Sequence, residues 1–181
     1  VDLTRNSGGS MWPMLAALSP FFDEGILGYM KVSSNEKIGW KIENREVLLG
    51  EKVKQQIPFD PSQLRQTIFG EEYSQTLGVL IDANTASSAE AVAISLMSNA
   101  NVLFFGGQSS GFTTGISQLE LSDGSVVNLS MAAFLDHQGN EYDEGVKPDV
   151  DTGRHQVLEA AYRYLIKQDN CSKTLKALKE D

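Results

Sequence analysis

With 181 residues, of which 41% are hydrophobic and 22% charged, the chain suits one globular domain with a buried core, which excludes disordered and collagen-like readings. Lys+Arg of 15 against Asp+Glu of 24 leaves a formal net charge of −9, which argues against nucleic acid or an anionic membrane surface as the main partner. Two histidines and the single cysteine, Cys171, give no basis for a zinc cluster or an intrachain disulfide, and no apolar run reaches the roughly 18 residues of a membrane-crossing helix.

Val1-Asp2-Leu3 reads as the end of a buried strand entering a turn at Asn6-Ser7-Gly8-Gly9, so the sequence is expected to be the C-terminal part of a longer protein. Ser10 to Leu18 is predicted as a short helix, with Met11, Met14, Leu15 and Leu18 at helical spacing and Pro20 ending it. Short strands at 27–32, 38–42 and 46–49, separated by turn signals, predict an antiparallel elaboration. Residues 50–75 are polar, carry Pro58 and Pro61, and read as a surface connection with one helical turn near Gln63 to Phe69.

Leu77 to Asp82 is a continuous apolar run ending in Asp, the pattern of a strand covered on both faces. Ser87 to Ser98, apolar nearly all round and rich in Ala, predicts a buried helix, and 101–105 the next buried strand of a right-handed strand-helix-strand unit. A Gly/Ser/Thr loop follows from Gly106 to Gly115, then a hairpin pairing 118–121 with 126–129 around Asp123-Gly124. Val157, Leu158, Ala161, Tyr162, Leu165 and Ile166 form the apolar stripe of a closing amphipathic helix. The fold class is therefore α/β.

Thr85-Ala86-Ser87-Ser88-Ala89-Glu90 carries the chemistry most open to interpretation, because it sets small hydroxyl residues between a buried strand and a buried helix. Unsatisfied N–H groups and the positive end of the helix dipole would stabilise an oxyanion formed when Ser87 attacks an acyl carbon. Ser87-x-x-Glu90 is equally a capping box, which needs no catalysis and is the commoner use of such a motif. The glycine turn after Leu3 also lies at a strand end, and a glycine lets its N–H come close to a reacting carbonyl. On that reading Gly8 or Gly9 gives one oxyanion donor and the Ser88 N–H the other, while the G-x-G-x-x-G spacing of a phosphate cradle is absent.

Taken in order, Asp2 to Gly9, Thr85 to Glu90, Gly107 to Gly115 and Gly145-Val146-Lys147-Pro148-Asp149 resemble the markers of the C-terminal processing (tail-specific) serine peptidases. The resemblance implies a ClpP/crotonase-like core of β-β-α units with an antiparallel elaboration, and makes 1–181 the C-terminal part of a peptidase catalytic domain whose N-terminal part is missing. It implies Ser87 as the nucleophile, Ser88 and Gly9, with Gly8 beside it, as the oxyanion hole, and Glu90, Thr85 and Asn6 in support. It implies no metal or organic cofactor, a peptide or unstructured protein as substrate, and an extracytoplasmic setting with any membrane anchor outside this chain. A non-catalytic peptide-binding relative is the alternative.

One departure bears on mechanism. The best-known branch of that family draws a lysine base from the glycine loop, where this chain has Phe112. A serine at its free pKa needs an adjacent base. Ser87-Ser88-Ala89-Glu90 and Gly111 to Gly115 look most like the branch containing the tricorn-type and nisin-resistance-type peptidases, which implies a histidine base upstream of Val1. His137, in a polar turn, and His155, in the first turn of the last helix, read as surface residues. Glu90, or Glu141, Asp143 and Glu144, are candidates to orient an upstream histidine, and Trp12, Met14, Phe112 and Trp40 are candidate pocket linings.

Overall fold

The structure, a computed structural model, describes residues 1–69, 77–153 and 156–167. After the glycine turn comes α1 (Met11–Ala17), then a short 3-10 turn at Ser19–Phe21. Four antiparallel strands follow, β1 (Gly25–Ser33), β2 (Glu36–Glu43), β3 (Glu46–Leu49) and β4 (Lys52–Gln56), and then α2 (Pro61–Phe69). The central unit is β5 (Leu77–Ile81), α3 (Ser88–Leu96) and β6 (Val102–Gly106). A long hairpin of β7 (Thr114–Glu120) and β8 (Val126–Asp136), the two-residue β9 (Val150–Asp151) and α4 (Val157–Leu165) complete the described chain.

These strands make two sheets. β5, β6 and β9 run parallel, and Val1 to Leu3 lies parallel along the free side of β5, with the Leu80 N–H bonded to Val1 O and the Leu3 N–H to Leu80 O, both at 2.9 Å. The other six strands form an antiparallel sheet in the order β4-β3-β2-β1-β8-β7. The antiparallel part is thus half of the architecture, and the fold is mixed α/β.

The apolar run of β5 has two buried faces because the chain covers both. Leu77, Val79 and Ile81 join the main core, while Leu80 packs with Phe105 and Ala161 beneath α4. All nine residues of α3 are buried, and the helix also contacts β1 and β8, so it fills the space between the two sheets. Trp40, fully buried on β2, donates its Nε1–H to Ser95 Oγ of α3 at 2.8 Å. Gly28 of β1 has to lack a side chain at this junction, since a Cβ there would stand 2.3 Å from the Trp40 ring and 2.6 Å from Leu135 O.

Of the segment read as a surface connection, 52–56 is the strand β4, and the helical turn expected near Gln63 to Phe69 is α2, which begins at Pro61; residues 70–75 lie outside the described residues. The strand's polarity reflects position: β4 is the last strand of the sheet, where polar side chains meet solvent. Asp60 Oδ1 starts α2 by accepting the N–H groups of Ser62 (2.9 Å) and Gln63 (3.2 Å). The predicted hairpin is longer than expected, because β8 also pairs through Ala133 to Asp136 with β1.

Candidate active site

Two turns, about 80 residues apart in sequence, are fastened to each other at the ends of the parallel strands. Thr85 is completely buried; its hydroxyl donates to Leu3 O at 2.8 Å and accepts the Asp82 N–H at 3.0 Å. The Ala86 N–H donates to Asn6 O at 3.0 Å, and Asn6 Oδ1 accepts the Gly8 N–H at 3.0 Å. Ser88 Oγ completes the clasp by donating to Gly9 O at 2.7 Å.

Ser87 stands in the middle of this clasp in the left-handed region, with φ 54° and ψ −118°. A non-glycine residue there carries backbone strain, which persists only where surrounding contacts over-determine it. Gly8 is one of those contacts: a Cβ on it would lie 2.8 Å from Ser87 Cβ, 3.0 Å from Ala86 O and 3.1 Å from Ser88 N, at a φ of +109°.

Glu90, also completely buried, supports the turn from beneath. Its Oε2 accepts the Ser87 N–H at 2.9 Å, and its Oε1 accepts the Ser109 hydroxyl at 2.6 Å and the Gly111 N–H at 2.8 Å. Three donors satisfy a carboxyl that would be costly to bury alone. The carboxyl half of a capping box is therefore formed. The hydroxyl half is only loosely approached, for Ser87 Oγ makes no side-chain cap hydrogen bond of ordinary geometry, and the Glu90 N–H closes on the Ser87 carbonyl oxygen at 2.9 Å.

Among the described residues, the N–H groups of Ser88 and Gly9 have no hydrogen-bond partner, whereas Ser87's goes to Glu90 and Gly8's to Asn6. The two free donors and Ser87 border one cleft of about 430 Å³, walled by Trp12, Met30, Leu49 and Phe134 and by Thr114 to Ile116 of β7. Among the described residues, Lys54 contributes its only charged side chain. Of the candidate linings, Trp12 is in this wall; Trp40 is core, Phe112 is 67% exposed outside the wall, and Met14 packs against the core with its Sδ 3.8 Å from Asn6 Nδ2.

The remaining candidates lie elsewhere. Asp136 shapes the turn that carries His137, with Asn140 and Tyr142 bonded to its carboxylate, and His137 does not border the cleft. Glu141 pairs with Lys31 and Glu144 with Lys147; with Asp143 they line a separate cavity of about 410 Å³. His155 lies outside the described residues. Two participants were missed from sequence. Ser109 joins Glu90 to the Val146 N–H (2.7 Å), and a Cβ at Gly145 would sit 2.7 Å from its hydroxyl, which explains why glycine precedes Val146 there. The signal for Ser109 was only its place in a glycine loop. Lys54 gave none, since it falls in the polar stretch read as a surface connection.

Comparison with known proteins bears on this arrangement. The nisin-resistance protein of Lactococcus lactis is 32% identical over 157 residues, covering 84% of this chain and 45% of that protein. The carboxy-terminal processing protease CtpA of Bacillus subtilis is 27% identical over 151 residues, covering 83% of this chain and 27% of the relative. The chain thus spans less than half the length of either. Among solved structures, a lipoprotein from Streptococcus agalactiae superimposes with a TM-score of 0.70 at 24% identity, over 92% of this chain and 53% of that one. The photosystem II D1 C-terminal processing protease does so with a TM-score of 0.57 at 22% identity, over 94% and 39%. The model of peptidase family S41 matches residues 1–152, from the strand before the glycine turn to the end of β9, and the chain belongs to that family.

Proposed function

We propose that this chain carries the nucleophile and oxyanion hole of a serine peptidase that hydrolyses peptide bonds through an acyl-enzyme on Ser87. The observation that carries the reading is Ser87, held at positive φ beside the two N–H groups, of Ser88 and Gly9, that have no protein partner among the described residues. Family membership and the protease relatives support it. In the proposed reaction Ser87 Oγ bonds to the substrate carbonyl carbon as its proton passes to a base, and the Ser88 and Gly9 N–H groups receive the developing oxyanion. The base returns the proton to the leaving amine as the C–N bond breaks. Water then splits the ester and restores the Ser87 hydroxyl.

The reading assigns the base to a histidine outside these 181 residues, and the parallel strands with their helices to a ClpP/crotonase-like core. Asn6, Thr85 and Glu90 hold the geometry, Gly8 by its lack of a side chain. The nisin-resistance relative and the streptococcal lipoprotein support an extracytoplasmic, membrane-associated setting. Protein from the complete reading frame, wild type beside Ser87→Ala, is to be incubated with a mixture of unstructured peptides and read by mass spectrometry. Cleavage by the wild type alone is expected. Equal silence from both would turn the reading to a non-catalytic peptide-binding relative.

A further inference from the structure

Lys54 lies where β4 breaks register with β3: Val47 pairs with Gln55 but Leu48 with Val53, so Lys54 is the extra residue of a β-bulge. A bulge leaves its residue out of the ladder and turns the side chain out of strand alternation. Here it turns Lys54 into the cleft that holds Ser87, with Nζ 5.2 Å from the centre of the Trp12 ring. An edge lysine that only discourages strand pairing stands out in water; this one is half-buried against an aromatic face. Acidic residues outnumber basic ones in this protein by 24 to 15, and Lys31, Lys41 and Lys147 all have carboxylate partners. Among the described residues Lys54 has none within ion-pair distance.

We infer that Lys54 is a specificity residue, which receives a carboxylate of the peptide bound in the cleft. Among the described residues the rest of the wall carries no charged side chain, so this ammonium is its means of recognising a charged group. A carboxylate brought there would meet a cation already partly desolvated and held over Trp12, which favours a charge-assisted contact over one made in bulk water. The peptide's own C-terminus and an Asp or Glu side chain both supply that group. This inference rests on the cleft being the peptide site.

The test measures binding, so it does not depend on turnover. Ser87→Ala protein is titrated with fluorescent peptides of one sequence in four forms: free C-terminal acid or carboxamide, each with an internal Glu or Gln. A carboxylate form is expected to bind about tenfold or more tightly than its neutral counterpart. Preference in the acid/amide arm identifies the terminal group, and preference in the Glu/Gln arm the side chain. Adding Lys54→Met is expected to abolish the difference, Lys54→Arg to keep it, and Lys54→Glu to reverse it, with melting curves confirming that each variant folds. No preference in the parent protein, or a preference that survives Lys54→Met, overturns the inference. Wild-type cleavage without carboxylate preference leaves the peptidase reading standing, and preference without cleavage leaves the lysine site standing.

Discussion

Gly8 and Gly9 adjoin in sequence and differ in what a side chain would do at each. At Gly8 a Cβ strikes Ser87 and Ser88, whereas at Gly9 nothing lies within 4 Å and only the φ of +118° resists substitution. Gly9→Val therefore tests the proposed oxyanion donor with little disturbance to packing, because a β-branched residue cannot keep that backbone angle and the N–H must turn away. Loss of one such donor lowers kcat by about 100- to 1,000-fold; the expected result is that loss, with a melting temperature near wild type, measured on the complete protein. The residues from Thr85 to Glu90 could be picked out from sequence because small hydroxyl residues there separate an apolar strand from an Ala-rich helix, although the contacts that hold them come from Leu3, Asn6, Gly9, Ser109 and Gly111. Lys54 could not, since a bulge depends on how β3 and β4 pair and not on which residues they contain.

Elements were legible where both faces of a segment are buried or strictly alternate, as in β5 and α3, and illegible where a segment lies at an edge, as in β4. The C-terminal end of β8 is a third case: Asp136 terminates the strand and also organises the turn that leads back toward Ser109. Burial pushes its carboxyl up, but hydrogen bonds from the Asn140 side chain and N–H, the Tyr142 hydroxyl and the Gln138 N–H outweigh this and hold it below the usual carboxylate range. A carboxyl lowered by folding contributes stability that is complete above its unfolded value, about 3.9, and is lost as pH falls through the folded value. Urea midpoints should decline as pH drops below about 4, and Asn140→Ala should flatten that decline. An unchanged acid limb in the variant would show that other carboxyls set it.

Across these 181 residues taken together, the charge of −9 acts over distances the cleft lysine does not reach. A cationic peptide should be drawn in by the overall field while its carboxylate is received locally. Between about 0.01 M and 1 M salt the screening length shrinks from about 30 Å to about 3 Å, so kcat/KM for a peptide of net positive charge should fall several-fold while that of a neutral peptide barely changes. Equal salt dependence for both would remove steering from the account. The sign of that field follows from composition alone, whereas the convergence of α1, β4 and β7 on one cleft needs the folded sheet order.

Residues separated by about 80 positions hold Ser87 in its conformation, and Ser109 and Gly111 come a further 20 or so later. Loop closure on that scale is a late event in chain organisation. A ribosome must therefore deliver the chain beyond Gly111 before the serine can take up its strained pose. Until then the growing polypeptide holds an ordinary serine hydroxyl, and the proposed nucleophile is not yet shaped.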